Sequence, residues 1–182
     1  MSKAIKIKKG VDIKLVGAAE KTISASQRSN VYAIKPDDFF GLYPKLLVRQ
    51  GDTVKVGTPL FFDKNREKVK IPSPVSGEVV EIKRGAKRKI LEVKILADKE
   101  WVYETHAPWS LGGDRQQLVD TMVAMGIWPF ITQRPIGVIA DPDTTPRDIY
   151  VSGFDSAPLA ADTELLLKDS MDDFQFGIEA LK

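Results

Sequence analysis

Residues 48–82 constrain the fold more than any other part of the chain. Val48-Arg-Gln-Gly-Asp-Thr-Val-Lys-Val-Gly-Thr-Pro-Leu60 sets glycines 51 and 57 between short apolar runs, and after a charged insert comes Ile71-Pro-Ser-Pro-Val-Ser-Gly-Glu-Val-Val-Glu-Ile82. Glycine enters the left-handed region without a Cβ clash, so this spacing specifies tight turns between strands of only a few residues. The Pro74-x-x-Gly77 turn feeds a further strand, and together these segments predict half of a small β-barrel sandwich. Residues 79–83 and 90–95 then read as strands joined by Arg84-Gly85-Ala86-Lys87, with Leu91, Val93 and Ile95 on one face. The turns at Gly51 and Gly85 are expected at equivalent places in two similar halves. Pro59, Pro72 and Pro74 suit strand ends and turns rather than strand centres.

This pattern resembles biotinyl and lipoyl carrier domains. In such carriers the modified lysine sits at a hairpin tip, eight residues before the proline of the Pro-x-x-Gly turn, and that place is held here by Arg66. A guanidinium does not accept an acyl group, so the fold is expected without the swinging-arm chemistry. Lys64 and Lys68 stand close by, and the tip reads as a solvated loop.

The rest of the chain divides in character. Residues 4–10 alternate apolar and charged side chains and predict a half-buried strand, followed by an extended piece over 11–16 closed by Gly17. Residues 20–32 show no strong period and read as an excursion with some extended structure. Asp37-Asp38-Phe39-Phe40-Gly41 suggests a short helix or turn, and Tyr43-Pro44 leads into the barrel. Beyond residue 100 a helix is predicted. Asp114 with Gln117 forms a capping box, Leu118, Val119, Met122, Val123 and Met125 form an apolar stripe, and Gly126 supplies the stop. Residues 136–139 and 148–152 read as short buried strands around the turn Asp141-Pro-Asp-Thr-Thr-Pro, and a further helix begins near Asp173 with Phe174, Ile178 and Leu181 at helical spacing. The expectation is an α+β chain. Residues 1–100 form a biotinyl/lipoyl-like barrel-sandwich hybrid, mainly β, with an N-terminal extended segment; residues 101–182 form an incomplete Rossmann-like α/β unit. Two strands cannot bury both faces of such a sheet, so a longer chain or a partner is expected to complete it.

Composition narrows the chemistry. The 43% hydrophobic content supports a real core in 182 residues. The longest apolar runs, such as residues 126–131, fall far short of the ~20 residues of a spanning helix, and the lysine-rich start lacks the apolar segment of a secretory signal. With no cysteine and one histidine, these residues offer ligands for neither an iron-sulfur cluster nor a zinc site. His106, in Thr-His-Ala-Pro-Trp, reads as a loop histidine without a nucleophile motif. No glycines fall at dinucleotide or P-loop spacing, Gly112-Gly113 being the closest pair.

The formal charge of +2 hides an asymmetry: residues 1–100 hold 22 Lys and Arg against 12 Asp and Glu, and residues 101–182 hold 5 against 13. The basic groups Lys6, Lys8, Lys9 and Lys83, Arg84, Lys87, Arg88, Lys89 suit anionic lipid head groups, nucleic acid or an acidic partner. No aromatics interleave with residues 83–89, which argues against a base-stacking nucleic-acid surface.

Five segments in order along the chain carry a more specific resemblance: Ile5-Lys-Ile-Lys-Lys-Gly-Val-Asp; Tyr43-Pro-Lys-Leu-Leu-Val-Arg-Gln-Gly-Asp-Thr-Val-Lys-Val-Gly; Pro74-Val-Ser-Gly-Glu-Val-Val-Glu-Ile-Lys-Arg-Gly; Gly126-Ile-Trp-Pro-Phe with Gln133-Arg-Pro; and Phe154-Asp-Ser-Ala-Pro-Leu-Ala-Ala-Asp. In these the chain resembles the A subunit of the Na⁺-translocating NADH:quinone reductases. The resemblance implies a cofactor-free peripheral component of a six-subunit respiratory pump, at the cytoplasmic face of the inner (cytoplasmic) membrane. In that complex NADH, flavins, iron-sulfur centres and ubiquinone are handled by the other subunits, and the membrane-embedded B subunit is the chief docking partner. It further implies a positional role in sodium ion transport and no activity for this chain alone. Trp128, Phe130 and Arg134 are the candidates for quinone contact, as aromatic faces and a carbonyl donor. Lys83, Arg84, Lys87, Arg88 and Lys89 are the candidates for partner or membrane-surface contact; no metal or catalytic residue is expected. The alternative resemblance is to the C subunit of the related ferredoxin-linked ion-translocating electron-transport complex.

Overall fold

A computed structural model describes residues 10, 13–17, 19–153, 155, 157 and 159–182; the strand expected over residues 4–10 lies outside these except for Gly10. The chain separates into two compact units, residues 27–147 and residues 1–26 with 148–182.

In residues 27–147, the first strands in chain order are β1 Val31–Ile34, β2 Pro44–Leu46, β3 Thr53–Val54, β4 Pro59–Asp63, β5 Arg66–Pro72, β6 Gly77–Arg84 and β7 Ile90–Ala97. They form two antiparallel sheets, one in the order β1-β7-β6-β3 and one in the order β2-β4-β5. This is the barrel-sandwich hybrid that the turn spacing predicts. Leu60, Phe61, Val69, Val75, Val79, Val93 and Ile95 are fully buried between the sheets, each worth roughly 1.5–3 kcal/mol of burial. The Pro-x-x-Gly turn ends where it must. Gly77 has φ +153, and a Cβ there would lie 1.9 Å from the Leu96 carbonyl oxygen, so only glycine lets β6 approach β7 so closely.

The β6–β7 hairpin departs from simple alternation. Its register shifts between Lys83 and Arg84, with Lys83 opposite Glu92 and Arg84 opposite Ile90. The bulge leaves Leu91 unopposed and reverses the facing of the strand end. Ile90 therefore joins Val93 and Ile95 in the core, and Leu91 packs against Gly85 instead. The turn itself differs from that at Gly51. Gly51 has φ +91, whereas Gly85 is extended and the left-handed residues are Lys87 and Arg88.

The helix α1 spans Arg115–Ala124 and is capped by Asp114, whose carboxylate accepts the amides of Gln116 at 3.0 Å and Gln117 at 3.3 Å. Val119 is buried, with Met122 and Val123 packed beside the core. Met125, the last member of the predicted stripe, sits at the C-cap and is exposed. Gly126 ends the helix at φ +73, and a Cβ there would lie 2.4 Å from the Pro72 side chain, so the stop also sets how closely the helix end meets β5. A 3-10 turn over Trp128–Phe130 leads to an antiparallel pair, β8 Thr132–Gln133 and β9 Val138–Ile139. Only two residues of the expected 136–139 strand pair; Ile136 is 70% exposed in the connecting turn.

In the other unit, residues 148–152 do not form the expected strand. Ile149, Tyr150 and Val151 have β-prone side chains but, among the described residues, no partner strand, and Tyr150 is 84% exposed. Residues 13–15 likewise form no strand. Two helices follow, α2 Thr163–Leu167 and α3 Met171–Ala180. The sequence foreshadows the second, on which Phe174 and Ile178 lie; the first, capped by Asp162, is an addition. The chain is thus a barrel-sandwich hybrid followed by an α/β region.

Candidate functional site

The β4–β5 hairpin stands where a carrier domain presents its modified lysine. Its tip is Lys64-Asn65, and Arg66 opens β5 directly behind it. Rather than extending into solvent, the Arg66 side chain is 18% exposed and closes on Asp63, whose side chain is fully buried. The Asp63 Oδ2 accepts from Arg66 Nε at 2.8 Å and lies 2.7 Å from Nη2. Its Oδ1 accepts the amides of Tyr43 at 3.2 Å and Asn65 at 3.1 Å. The carboxylate is thus paired and hydrogen-bonded on both oxygens, the condition under which a buried charge is tolerated. Arg66 Nη1 donates to the carbonyl of Ile139 on β9, and the Lys68 ammonium pairs with Asp143. That hydrogen bond to Asp143 is the main cause that raises the Lys68 pKa above its ordinary 10.5. Lys64, Asn65 and Lys68 are exposed, as expected of a solvated tip, while Arg66 folds inward and two cations tie the hairpin to residues 139–143. Asp63 was legible only as a carboxylate three residues before an arginine.

Of the three residues set apart for quinone contact, the structure separates the aromatics. Trp128 is 6% exposed and its indole N–H donates to the Ala140 carbonyl at 2.8 Å, so it closes the core beneath Gly126. Phe130, two residues on, is 78% exposed. Arg134 is exposed in the loop between β8 and β9, beside Pro135. Ile127 and Ile136 are exposed in the same stretch.

The five basic residues set apart for partner contact cluster at the β6–β7 turn, and all are exposed. Lys89 pairs with Asp37 at 2.6 Å and Lys83 with Glu92 at 3.9 Å. Arg84 Nη1 donates to the Arg88 carbonyl at 3.1 Å, which braces the turn across its mouth. Arg84 also lines a shallow groove with Leu46, Val48, Arg49 and Ile82. Among the described residues no helix is long and apolar enough to cross a membrane, and no three His, Asp or Glu residues are grouped to hold a metal ion.

Residues 5–98 match the family model described as the NqrA N-terminal barrel-sandwich hybrid domain, and residues 113–182 match the NqrA second alpha/beta domain. Three curated relatives each bear the name of the A subunit of a Na(+)-translocating NADH-quinone reductase. That of Rhodopirellula baltica is 37% identical over 181 residues, covering 97% of this chain and 40% of its own. That of Alcanivorax borkumensis is 37% identical over 185 residues with the same coverage, and that of Vibrio vulnificus 33% over 180 residues. The chain spans about 40% of the length of these relatives. The names favour the resemblance to the A subunit over the C subunit alternative.

Proposed function

The chain belongs to the NqrA family, the A subunits of the Na(+)-translocating NADH-quinone reductases, and from that premise we propose that it is a cofactor-free docking component that supports assembly and the quinone-reducing site. Its activity is positional: electrons travel on groups held by other subunits, and this chain shapes the cytoplasmic side of the quinone pocket. The partners are the other subunits of the reductase, chiefly the membrane-embedded B subunit, and the setting is peripheral, on the cytoplasmic face of the membrane.

The observation that carries this reading is the locked hairpin tip. A carrier domain needs a mobile lysine, and here the place is filled by a guanidinium closed on Asp63 and on the Ile139 carbonyl. Such a tip transmits position and transports nothing. Phe130 offers an exposed ring and Arg134 a fork of donors to one quinone carbonyl, while Trp128 supports the turn that presents them. The basic turn at Lys83, Arg84, Lys87, Arg88 and Lys89 is the partner-facing surface. The division near residue 100 separates a barrel for docking from an α/β region.

Purification from membranes through a tag on the chain tests the reading. Co-isolation of flavin-bearing partners with Na⁺-stimulated NADH:quinone activity is expected, and recovery of the chain alone in the soluble fraction would overturn it. In that assembly Phe130→Ala and Arg134→Ala raise KM for quinone and leave kcat near the parent value.

A further inference from the structure

The groove between the β2 corner and the end of β6 carries more than a basic surface. We propose that it is a slot for an extended peptide segment of a partner subunit in which acidic and apolar side chains alternate. The inference rests on the reading of the basic turn as a partner contact and names the partner's chemistry.

Two strand edges border this groove, and among the described residues neither has a strand paired to its outer side. On the β2 side, Lys64 N–H donates to the Tyr43 carbonyl at 2.8 Å and Leu47 N–H to the Leu60 carbonyl at 2.9 Å. Residues 43, 45 and 47 therefore face β4, and by the period of two, the backbone groups of Leu46 and Val48 face away from it. Among the described residues the Val48 amide and carbonyl have no hydrogen-bond partner, although its side chain is buried. On the β6 side, β3 pairs only with Gly77 and Glu78, and the chain beside it reaches no further than Val79. Among the described residues, residues 81–84 pair with β7 alone. An unpaired strand edge offers backbone donors and acceptors to an incoming strand, which is how extended peptides gain affinity.

The side chains specify the charge of that strand. Lys83 and Lys89 have carboxylate partners, but among the described residues none lies in ion-pair range of Arg49, Arg84, Lys87 or Arg88. Arg49 and Arg84 line the groove together with Leu46, Val48 and Ile82. Guanidinium forks match carboxylates bidentately, and the half-buried Leu46 and Ile82 beside them offer apolar contact to the intervening side chains. A membrane surface is the poorer fit, because residues 83–89 include no large apolar side chain to enter the head-group layer and lipids would leave the backbone edges unpaired.

The test uses the 182-residue chain and fluorescent ten-residue peptides alternating Glu with Val or Ile, a matching Lys set, and phosphatidylglycerol vesicles. The Glu peptides should bind at least ten-fold tighter than the Lys peptides and slow exchange of the Val48 amide. The double variant Arg49→Glu/Arg84→Glu, altered only at exposed positions, should lose at least ten-fold in that affinity. Equal binding of the two peptide sets, an unprotected Val48 amide, or vesicle binding alone that the double variant abolishes would overturn the slot. Failure here with co-purification intact sinks the slot and spares the docking role; lost co-purification with peptide binding intact does the reverse.

Discussion

Asp63 and Arg66 carry the largest consequence for single substitutions, because removing either partner leaves the other charge uncompensated in a buried place. Arg66→Met should destabilise the chain by about 3–5 kcal/mol in urea unfolding, while the double variant Asp63→Leu/Arg66→Met should regain most of that loss. A loss in the double variant equal to that in the single one would mean that the pair matters for packing rather than charge. Trp128 and Phe130 give a second contrast. Trp128→Ala should cost about 3–5 kcal/mol as a core truncation, whereas Phe130→Ala should stay within ~0.5 kcal/mol of the parent stability. Thermal melts of the two variants check this. The sequence marks both aromatics as candidates but cannot tell them apart, because the turn that buries one and exposes the other depends on where Ala140 offers its carbonyl.

Secondary structure elements were legible where their signals are local. The Asp114 cap, the Gly126 stop and the Gly51 turn each depend on one residue's own conformational preference, and each stands where the pattern puts it. The β6–β7 bulge was not legible, because one unopposed residue changes the facing of a strand end without changing its composition. Residues 148–152 mislead for the converse reason: β-prone side chains make a strand only when another strand accepts their hydrogen bonds. Gly126→Ala tests the helix stop at this scale. The new Cβ would need a left-handed conformation and the space now held by Pro72, so a loss of at least about 1–3 kcal/mol is expected in urea unfolding. The cap of α2 gives a pH prediction. Asp162 is held below its ordinary 3.8, first by the hydrogen bond from Lys21, whose ammonium lies 2.8 Å away, and then by the Leu165 amide. A carboxyl with a lowered folded pKa adds stability that is complete above its ordinary value and is lost as pH falls through the folded one. Amide exchange at Leu165 should therefore stay flat from neutral pH to about 5, apart from the intrinsic rate, and quicken relative to it below about 4. Lys21→Ala should shrink that acid-side change.

At the scale of the whole molecule, the first hundred residues are strongly basic and the remainder acidic, and among the described residues Arg49 and Arg84 line a groove with no carboxylate in ion-pair range. The family was legible because five separated segments keep their order, while the Asp63–Arg66 contact was not, because it depends on how the β4–β5 hairpin folds back on Tyr43 and Ile139. The proposed docking role rests on immobility at the place where a carrier must move. The backbone and Nε–H order parameters of Arg66, from nitrogen-15 relaxation, measure that directly. Values near ~0.85, equal to the barrel strands, are predicted. Values below ~0.6 at Arg66 while the strands stay rigid would show a swinging tip and contradict the account.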